Sequence, residues 1–246
     1  MAQETEIKLR IRDLEAFRKA LKELKGKTVY RGSGRVHEMN LIFDTARRGL
    51  AKKAQLLRIR TETRVDNDGK NLQGPGTRAV LTFKRPVVAG PNFAEAGVPG
   101  GAAPEDADKS GTGGPASRHR VRDEIETVVT DAATLATIFE GLGMRGWFRY
   151  EKYRTTYRLS ARWAKGLLIE VDETPIGNFA ELEGAPRKID RAAKELGYSK
   201  SDYILKNYLT LYKEECRKRG KAPGDMLFRK PKDMLFKKKS RIRTRN

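Results

Sequence analysis

Short segments in which every second residue is charged or polar and the residues between are largely apolar recur along this chain. Few folds accommodate that. The first such segment is ETEIKLRI, residues 4–11, which as a strand places Glu4, Glu6, Lys8 and Arg10 on one face and Thr5, Ile7, Leu9 and Ile11 on the other. The habit returns in LLRIRTETR, where Arg58 and Arg60 share a face against Leu57 and Ile59. In TRAVLTFKR, Val80, Thr82 and Lys84 oppose Ala79, Leu81 and Phe83. RHRVRDEIETVV groups Arg122, Glu124 and Glu126, and WFRYEKYRTTYRLSA groups Lys152, Arg154, Thr156 and Arg158. KGLLIEVDE sets Glu170 and Asp172 against Ile169 and Val171, and NFAELEG sets Glu181 and Glu183 against Ala180 and Leu182. With RVHEMNLIFD this makes about eight strands.

Helices punctuate them. Asp13 is a good N-cap for a helix to about Lys25, with Leu14, Phe17, Leu21 and Leu24 buried and Gly26 as its stop. Asp131 caps a second helix that buries Leu135, Ile138, Phe139 and Leu142. Two more span about Pro186 to Leu196 and Ser201 to Arg219, the last with Tyr203, Ile204, Tyr208, Leu211 and Tyr212 on a broad apolar side. Helices need the apolar strand faces, so the ionic faces turn inward. An α+β chain built on a closed eight-stranded β-barrel with a charged lumen, helices packed outside, satisfies both demands and leaves no free edge.

Such a lumen gathers Glu4, Glu6, Glu124, Glu126, Glu170, Asp172, Glu181 and Glu183 opposite Lys8, Arg10, Arg58, Arg60, Lys84, Arg122, Lys152 and Arg154. Crowded buried carboxylates raise one another's pKa until a cation intervenes. Oxygen donors without a His or Cys cluster suit Mg²⁺ or Mn²⁺ rather than Zn²⁺. The bases need an anion with many oxygens spread over several Å. A linear triphosphate matches, with arginine forks and lysine point charges on successive phosphoryl oxygens.

The formal charge of +20 is unevenly placed: Arg217 to Asn246 holds thirteen Lys or Arg against two Asp, a net +11, and leaves +9 for the body. Basicity therefore argues for an anionic partner mainly through the end of the chain. That end carries a near-duplicate, DMLFRK from Asp225 and DMLFKK from Asp233, too few copies for a repeat architecture. Residues 86–117 are rich in Gly, Pro and Ala with little to bury, and read as a disordered surface loop. The expected organisation is one tunnel domain over 1–215, interrupted by that loop, and a basic, disordered tail over 216–246. The single cysteine, Cys216, excludes an intramolecular disulfide. With no long apolar run and no signal peptide, the expected home is the cytoplasm, away from membranes. The oligomeric state is not legible.

Glu4-Thr5-Glu6-Ile7-Lys8 is also the ExExK signature of the CYTH, or triphosphate tunnel metalloenzyme, superfamily, and the resemblance extends well past it. IFDTARRGLAKKAQLLRIR resembles the family's strand, acidic turn and LRIR segment, LTFKRP its LTxK strand, and RDEIE its RxExE. KYRTTY resembles KxRxxY, and IEVDETPIGNFAELEG the closing acidic hairpin. A lone ExExK is weak, but six motifs in order are specific, and they cover Met1 to Arg85 and about Arg118 to Leu211. The resemblance implies an antiparallel eight-stranded tunnel acting on a triphosphate-bearing small molecule. It implies metal at Glu4, Glu6, Glu181 and Glu183 with Asp172 or Glu170. It places the triphosphate on Lys8, Arg58, Arg60, Lys84, Arg122, Lys152 and Arg154, has Glu124 and Glu126 order the bases or take a second metal, and gives Lys8 the task of orienting or deprotonating the attacking water; Arg10 joins in support by strand alternation. The 86–117 insertion and the basic tail depart from the pattern.

No Walker loop, dinucleotide fingerprint or nucleophilic cysteine context is present. His37 and His119 read as structural or surface residues, and Cys216 as packing for the last helix. Three functions follow in order: hydrolysis of the terminal phosphate of tripolyphosphate or an organic triphosphate, class IV adenylyl cyclisation of ATP, and non-catalytic binding of polyphosphate or RNA through the tunnel, the tail or both, driven by the tail.

Overall fold

The computed structural model describes residues 2–29, 34–66, 68–72, 77–87 and 118–228. The chain runs β1 (Ala2–Ile11), α1 (Leu14–Glu23), β2 (Gly26–Thr28), β3 (Arg35–Thr45), α2 (Gly49–Lys52), β4 (Leu56–Arg64), β5 (Arg78–Pro86) and β6 (Arg120–Val129). It continues with α3 (Ala132–Gly141), β7 (Met144–Leu159), β8 (Leu168–Thr174), β9 (Gly177–Glu183), α4 (Pro186–Glu195) and α5 (Tyr208–Lys218). The sheet order is β2-β7-β3-β4-β5-β6-β1-β9-β8, and β8 also pairs with β7, so eight antiparallel strands close into a barrel and β2 hangs from β7 as an extra strand. That short ninth strand is not visible in the sequence pattern. It starts where a helix stop was expected, because Lys25 rather than Gly26 takes the left-handed turn at φ 56°.

Apolar strand faces look outward, as the alternation demands. Ile7, Leu9 and Ile11 of β1, Ile169 and Val171 of β8, and Ala180 and Leu182 of β9 pack with Phe17 and Leu21 of α1 and Ile189, Ala192 and Ala193 of α4. Ile189 is wholly enclosed. Ile189→Ala should therefore lower unfolding free energy by about 2–5 kcal/mol, as cavity-forming core substitutions do, read from a urea titration.

The other expectations for helices need correction. α3 caps on Asp131 as foreseen, but Ile138 and Leu142 are exposed, and Phe139 touches the barrel edge-on through Phe43 at 5.2 Å. The span expected as one helix from Ser201 is split. A short 3-10 turn at Lys200–Asp202 leads into an extended stretch, and α5 starts only after Asn207 caps it. The split has a cause in the barrel. Strands are staggered, so β1 loses β6 after Glu6. Ile204 fills the vacated edge, its N–H and C=O bonded to Lys8 at 2.8 and 3.0 Å.

The tail boundary moves as well. Residues 216–218 finish α5, and Met226 is buried against Phe148, Tyr150, Phe179, Tyr208 and Leu211. Only from residue 229 does the expected tail lie outside the described residues, as do residues 88–117 of the expected loop. Cys216 is buried in α5. Among the described residues no helix is long and apolar enough to cross a membrane.

Candidate active site inside the barrel

Register, more than sequence, decides who meets whom. Lys8 lies opposite Glu181, Glu4 opposite Arg122, Glu124 opposite Lys84, Glu38 opposite Lys152, and Arg154 opposite Asp172. Glu4, Glu6, Lys8, Arg58, Arg60, Lys84, Glu124, Lys152, Arg154, Glu170, Asp172 and Glu181 are thereby brought into the interior. Glu183, opposite Glu6 in register, adjoins Glu4 and Glu170. Glu126 is more open, its side chain 42% exposed, and it accepts from the Thr82 hydroxyl at 2.7 Å. Arg122 is half-buried.

Arg10 does not join them. It sits opposite Phe179 in register, where the interior becomes apolar, and its guanidinium turns out over the Phe179 ring at 4.6 Å with Nη1 donating to the Ile176 carbonyl. That end of the barrel is closed by Phe148, Tyr150, Ile176 and Phe179 with Tyr208, Leu211 and Met226.

One half of the interior is a tight ion network around Arg154. Its Nε is 2.7 Å from Asp172, and it pairs with Glu170 and Glu181 as well. Asp172 is completely enclosed, taking bonds from Arg154, from Lys152 at 2.9 Å and from the Tyr208 hydroxyl at 2.6 Å. So engaged, Asp172 orders the bases around it. Glu181 is likewise held by Lys8 at 2.9 Å and by Arg154, and those cations, outweighing burial, keep its carboxyl well below the ordinary range. Glu38 is driven down in the same way, by Arg60, Lys152 and Arg154.

The other half has too few cations. Burial, then the neighbouring Glu4 and Glu170 carboxylates, pushes Glu183 up to about 8. Burial also lifts Glu124 to about 7 against the pull of Lys84, with Glu4 and Glu126 adding repulsion. Glu170 rises to about 7 even though it touches Arg154. Burial is the main cause, and the Glu181 and Asp172 carboxylates add to it against the pull of Arg154 and Lys152.

Lys8 stays a cation. Burial opposes its charge, but Glu181 and Glu6 together raise its pKa above the usual lysine value. An ammonium held this way can donate a hydrogen bond to an oxyanion.

Six residues of the site escaped sequence reasoning. Glu38 and Asn40 share one face of β3 with Val36 and Ile42, an alternation present in RVHEMNLIFD but passed over. Arg120 shares the face of Arg122 and reaches Glu6 at 3.3 Å. Thr82 lies on the face already identified by Lys84, and its hydroxyl receives Arg58 at 3.1 Å. Tyr150 shares the face of Lys152, and its hydroxyl receives Arg58 at 3.1 Å. Tyr208 had no signal, because an aromatic on a helical stripe reads as core. His37 and His119 bond to Glu151 and Asp190 at 2.9 and 2.8 Å outside this site.

Four buried side-chain atoms of the described residues lack hydrogen-bond partners: Asn40 Nδ2, Arg58 Nε, Arg120 Nη2 and Glu38 Oε2. Three of the four are donors. Among the described residues no three of His, Cys, Asp or Glu stand ready around a common point for a metal. The acids are drawn instead to their bases. Yet the donor chemistry fits a hard divalent cation: the set is all carboxylate, and burial together with neighbouring carboxylates raises the pKa of Glu183, Glu124 and Glu170, a cost to their charge that a bound cation would offset.

The family model of the CYTH domain matches residues 2–208. No curated protein matches the chain in sequence. Solved structures that resemble it include a Pyrococcus horikoshii OT3 protein (TM-score 0.58, 19% identical, covering 87% of this chain and 98% of that one). A conserved hypothetical protein from Pyrococcus furiosus gives 0.55 at 23% identity, covering 85% and 99%. A candidate adenylate cyclase from Vibrio parahaemolyticus gives 0.55 at 17%, covering 83% and 94%. At these identities the likeness concerns the fold alone.

Proposed function

The chain belongs to the CYTH domain family, and from that premise we propose that it is a divalent-metal-dependent enzyme that hydrolyses the terminal phosphate of tripolyphosphate or an organic triphosphate. One observation carries the reading: Arg58, Arg120 and Asn40 each direct a buried, unpartnered donor, and the partner that supplies acceptors to all three is a polyoxyanion. Lys8, Arg60, Lys84, Lys152 and Arg154 add charge around it, and Glu38 and Asp172 fix where those charges stand.

Glu4, Glu183, Glu124 and Glu170 are the residues that would hold Mg²⁺ or Mn²⁺, since Glu4 and Glu124 share the one base Lys84 and Glu170 shares Arg154 with three other acids; Glu6 and Glu181 have Lys8 between them together with Arg120 and Arg154. A bound ion of this kind neutralises phosphoryl charge and lowers the pKa of water. In hydrolysis the water oxygen attacks the terminal phosphorus, the bond to the bridging oxygen breaks, and the shortened phosphate chain leaves. The water proton goes to a carboxylate, since Lys8 is already protonated. The protein's share is orientation and fixed positive charge on the equatorial and leaving oxygens.

Adenylyl cyclisation needs a place for adenine as well. The aromatic rings at the closed end are spent on one another, Phe148 stacking on Tyr150 at 5.6 Å and Tyr208 edge-on to Phe179, so hydrolysis is the reading retained. The test is one panel of tripolyphosphate, ATP and thiamine triphosphate with Mg²⁺ or Mn²⁺, with phosphate, pyrophosphate and cyclic AMP read separately. Phosphate release is the expected outcome; cyclic AMP with pyrophosphate would replace it by cyclisation, and no turnover would leave a binding module. We also propose weak nucleic-acid or polyphosphate binding through the basic end, which a cut after Phe228 should abolish while sparing turnover.

Metal dependence has its own signature. Between pH 4.5 and about 8 the folded, metal-free chain binds protons at Glu183, Glu124 and Glu170 that the unfolded chain does not, so their contribution to stability is lost as pH rises through this window. Mg²⁺ displaces those protons. The Tm gain on adding Mg²⁺ should therefore be small near pH 6 and larger near pH 8.5, with proton release measurable in weak buffer. A gain that shrinks with pH would contradict the site.

A further inference from the structure

The two near-identical hexapeptides, DMLFRK from Asp225 and DMLFKK from Asp233, play no part in the proposed chemistry. The structure shows what the first one does. β8 pairs with β7 only from Tyr153 onward, which leaves the β7 edge before it open on that side. Residues 225–228 lie along it through one parallel bridge between Tyr150 and Met226, with the Glu151 N–H donating to the Met226 carbonyl at 3.0 Å and the Met226 N–H to the Arg149 carbonyl at 2.9 Å. Asp225 accepts from the backbone N–H and Nε of Arg149 at 2.9 and 2.8 Å, and its carbonyl receives the Tyr212 hydroxyl. Met226 is 1% exposed among the rings that close the barrel. Phe228 lies 5.2 Å from the Tyr153 ring, and its N–H donates to the Glu151 carboxylate.

Every one of these contacts is made by backbone or by Asp, Met or Phe, and all three recur at Asp233, Met234 and Phe236. The copies first differ at Arg229 against Lys237. We propose that the β7 groove is a docking site for the motif Asp-Met-Leu-Phe, and that Asp233–Phe236 occupies it in exchange with Asp225–Phe228 of the same chain, a register shift of eight residues.

The exchange is within the chain because the second copy is tethered. Its local concentration at its own groove far exceeds that of another molecule's copy in dilute solution. Docking it lengthens the connector after Arg219 from five residues to thirteen. Loop closure then favours the first register by only about fourfold, since the cost grows with the logarithm of length. The first copy is the main occupant and the second a populated alternative.

Hydrogen exchange at the Glu151 amide of the full chain reads the groove directly, because its acceptor is Met226. Met226→Ala with Phe228→Ala should raise exchange there severalfold yet keep clear protection, since the second copy takes over. Adding Met234→Ala and Phe236→Ala should abolish protection at Glu151 while the Leu9 and Ala180 amides, paired between β1 and β9, stay protected and report an intact barrel. Substituting Met234 and Phe236 alone should change little. If the four-site chain does not fold, the milder pair Asp225→Ala and Asp233→Ala gives the same ordering. The proposal falls if the first-copy variant exchanges as fast as the four-site variant, or if the four-site variant stays protected. Protection in the first-copy variant that grows with protein concentration would also overturn it, since docking would then be between molecules.

Discussion

Arg154→Met is expected to cost the metal-free protein about 3–5 kcal/mol of folding stability, the range for removing one partner from a buried ionic network. Arg154 is 8% exposed and meets Asp172, Glu170, Glu181 and Glu38. Its loss is not uniform among them. Asp172 keeps Lys152 and Tyr208, and Glu181 keeps Lys8, but Glu170 has no second base within ion-pair distance among the described residues. The deficit must depend on pH. Glu181 is held well below the ordinary carboxylate range partly by Arg154, so its contribution is present above the unfolded pKa and disappears as pH falls through the folded one. Removing Arg154 takes away that contribution, so the variant should lag most at pH 7 and above and approach the parent in acid. Arg154→Lys keeps the charge but not the fork, and should recover part of the loss. Urea titrations across pH measure all three. A Met variant within about 1 kcal/mol of the parent at neutral pH would mean that this network does not hold the barrel together.

Strand alternation made the barrel legible, because a row of charges on every second residue has few places to go. The faces assigned to β1, β4, β5, β7, β8 and β9 are those the structure shows. Alternation assigns a face, however, and not a depth along the axis. Arg10 has the parity of Glu6 and Lys8 but stands level with Phe179, past the point where the interior turns apolar. Which acid meets which base is set by register between strands distant in sequence, so alternation alone did not show that Asp172 anchors two bases and a tyrosine. Glu38 was readable in principle; its strand was recognised but not its role. Tyr208 was not, since only the packing of α5 over the barrel end turns its hydroxyl inward. The same packing explains why the domain extends past residue 215. Staggered strands leave open edges, and the segments after β9 return to fill them at Lys8 and at Tyr150. A pattern confined to each strand carries no trace of that.

Arg58→Met should do the opposite of Arg154→Met: it should remove activity and leave stability nearly unchanged. Both guanidinium groups are buried, but Arg58 donates to two neutral oxygens, Tyr150 Oη and Thr82 Oγ1, with Glu126 no nearer than 3.7 Å. Its Nε has no partner. Glu126, its carboxylate partner, is 42% exposed and keeps the Thr82 hydroxyl, and Glu38 keeps Arg60, Lys152 and Arg154, so the folding penalty stays small. A phosphoryl oxygen in the site would lose a charged donor poised for it, and losing one such donor typically lowers kcat by about 10²–10³. Arg58→Lys should restore little, because a point charge does not reproduce two donors in one plane. An internal reporter accompanies the kinetics. Burial alone would raise the Tyr150 hydroxyl, but Arg58, with Lys152 and Arg60, holds it below the ordinary tyrosine value, so the Met variant should show tyrosine ionisation shifted to higher pH in an ultraviolet titration. Full phosphate release from a variant with that shift would show that Arg58 is present in the site without serving the substrate. Lost release together with a collapsed Tm would mean that it is structural after all.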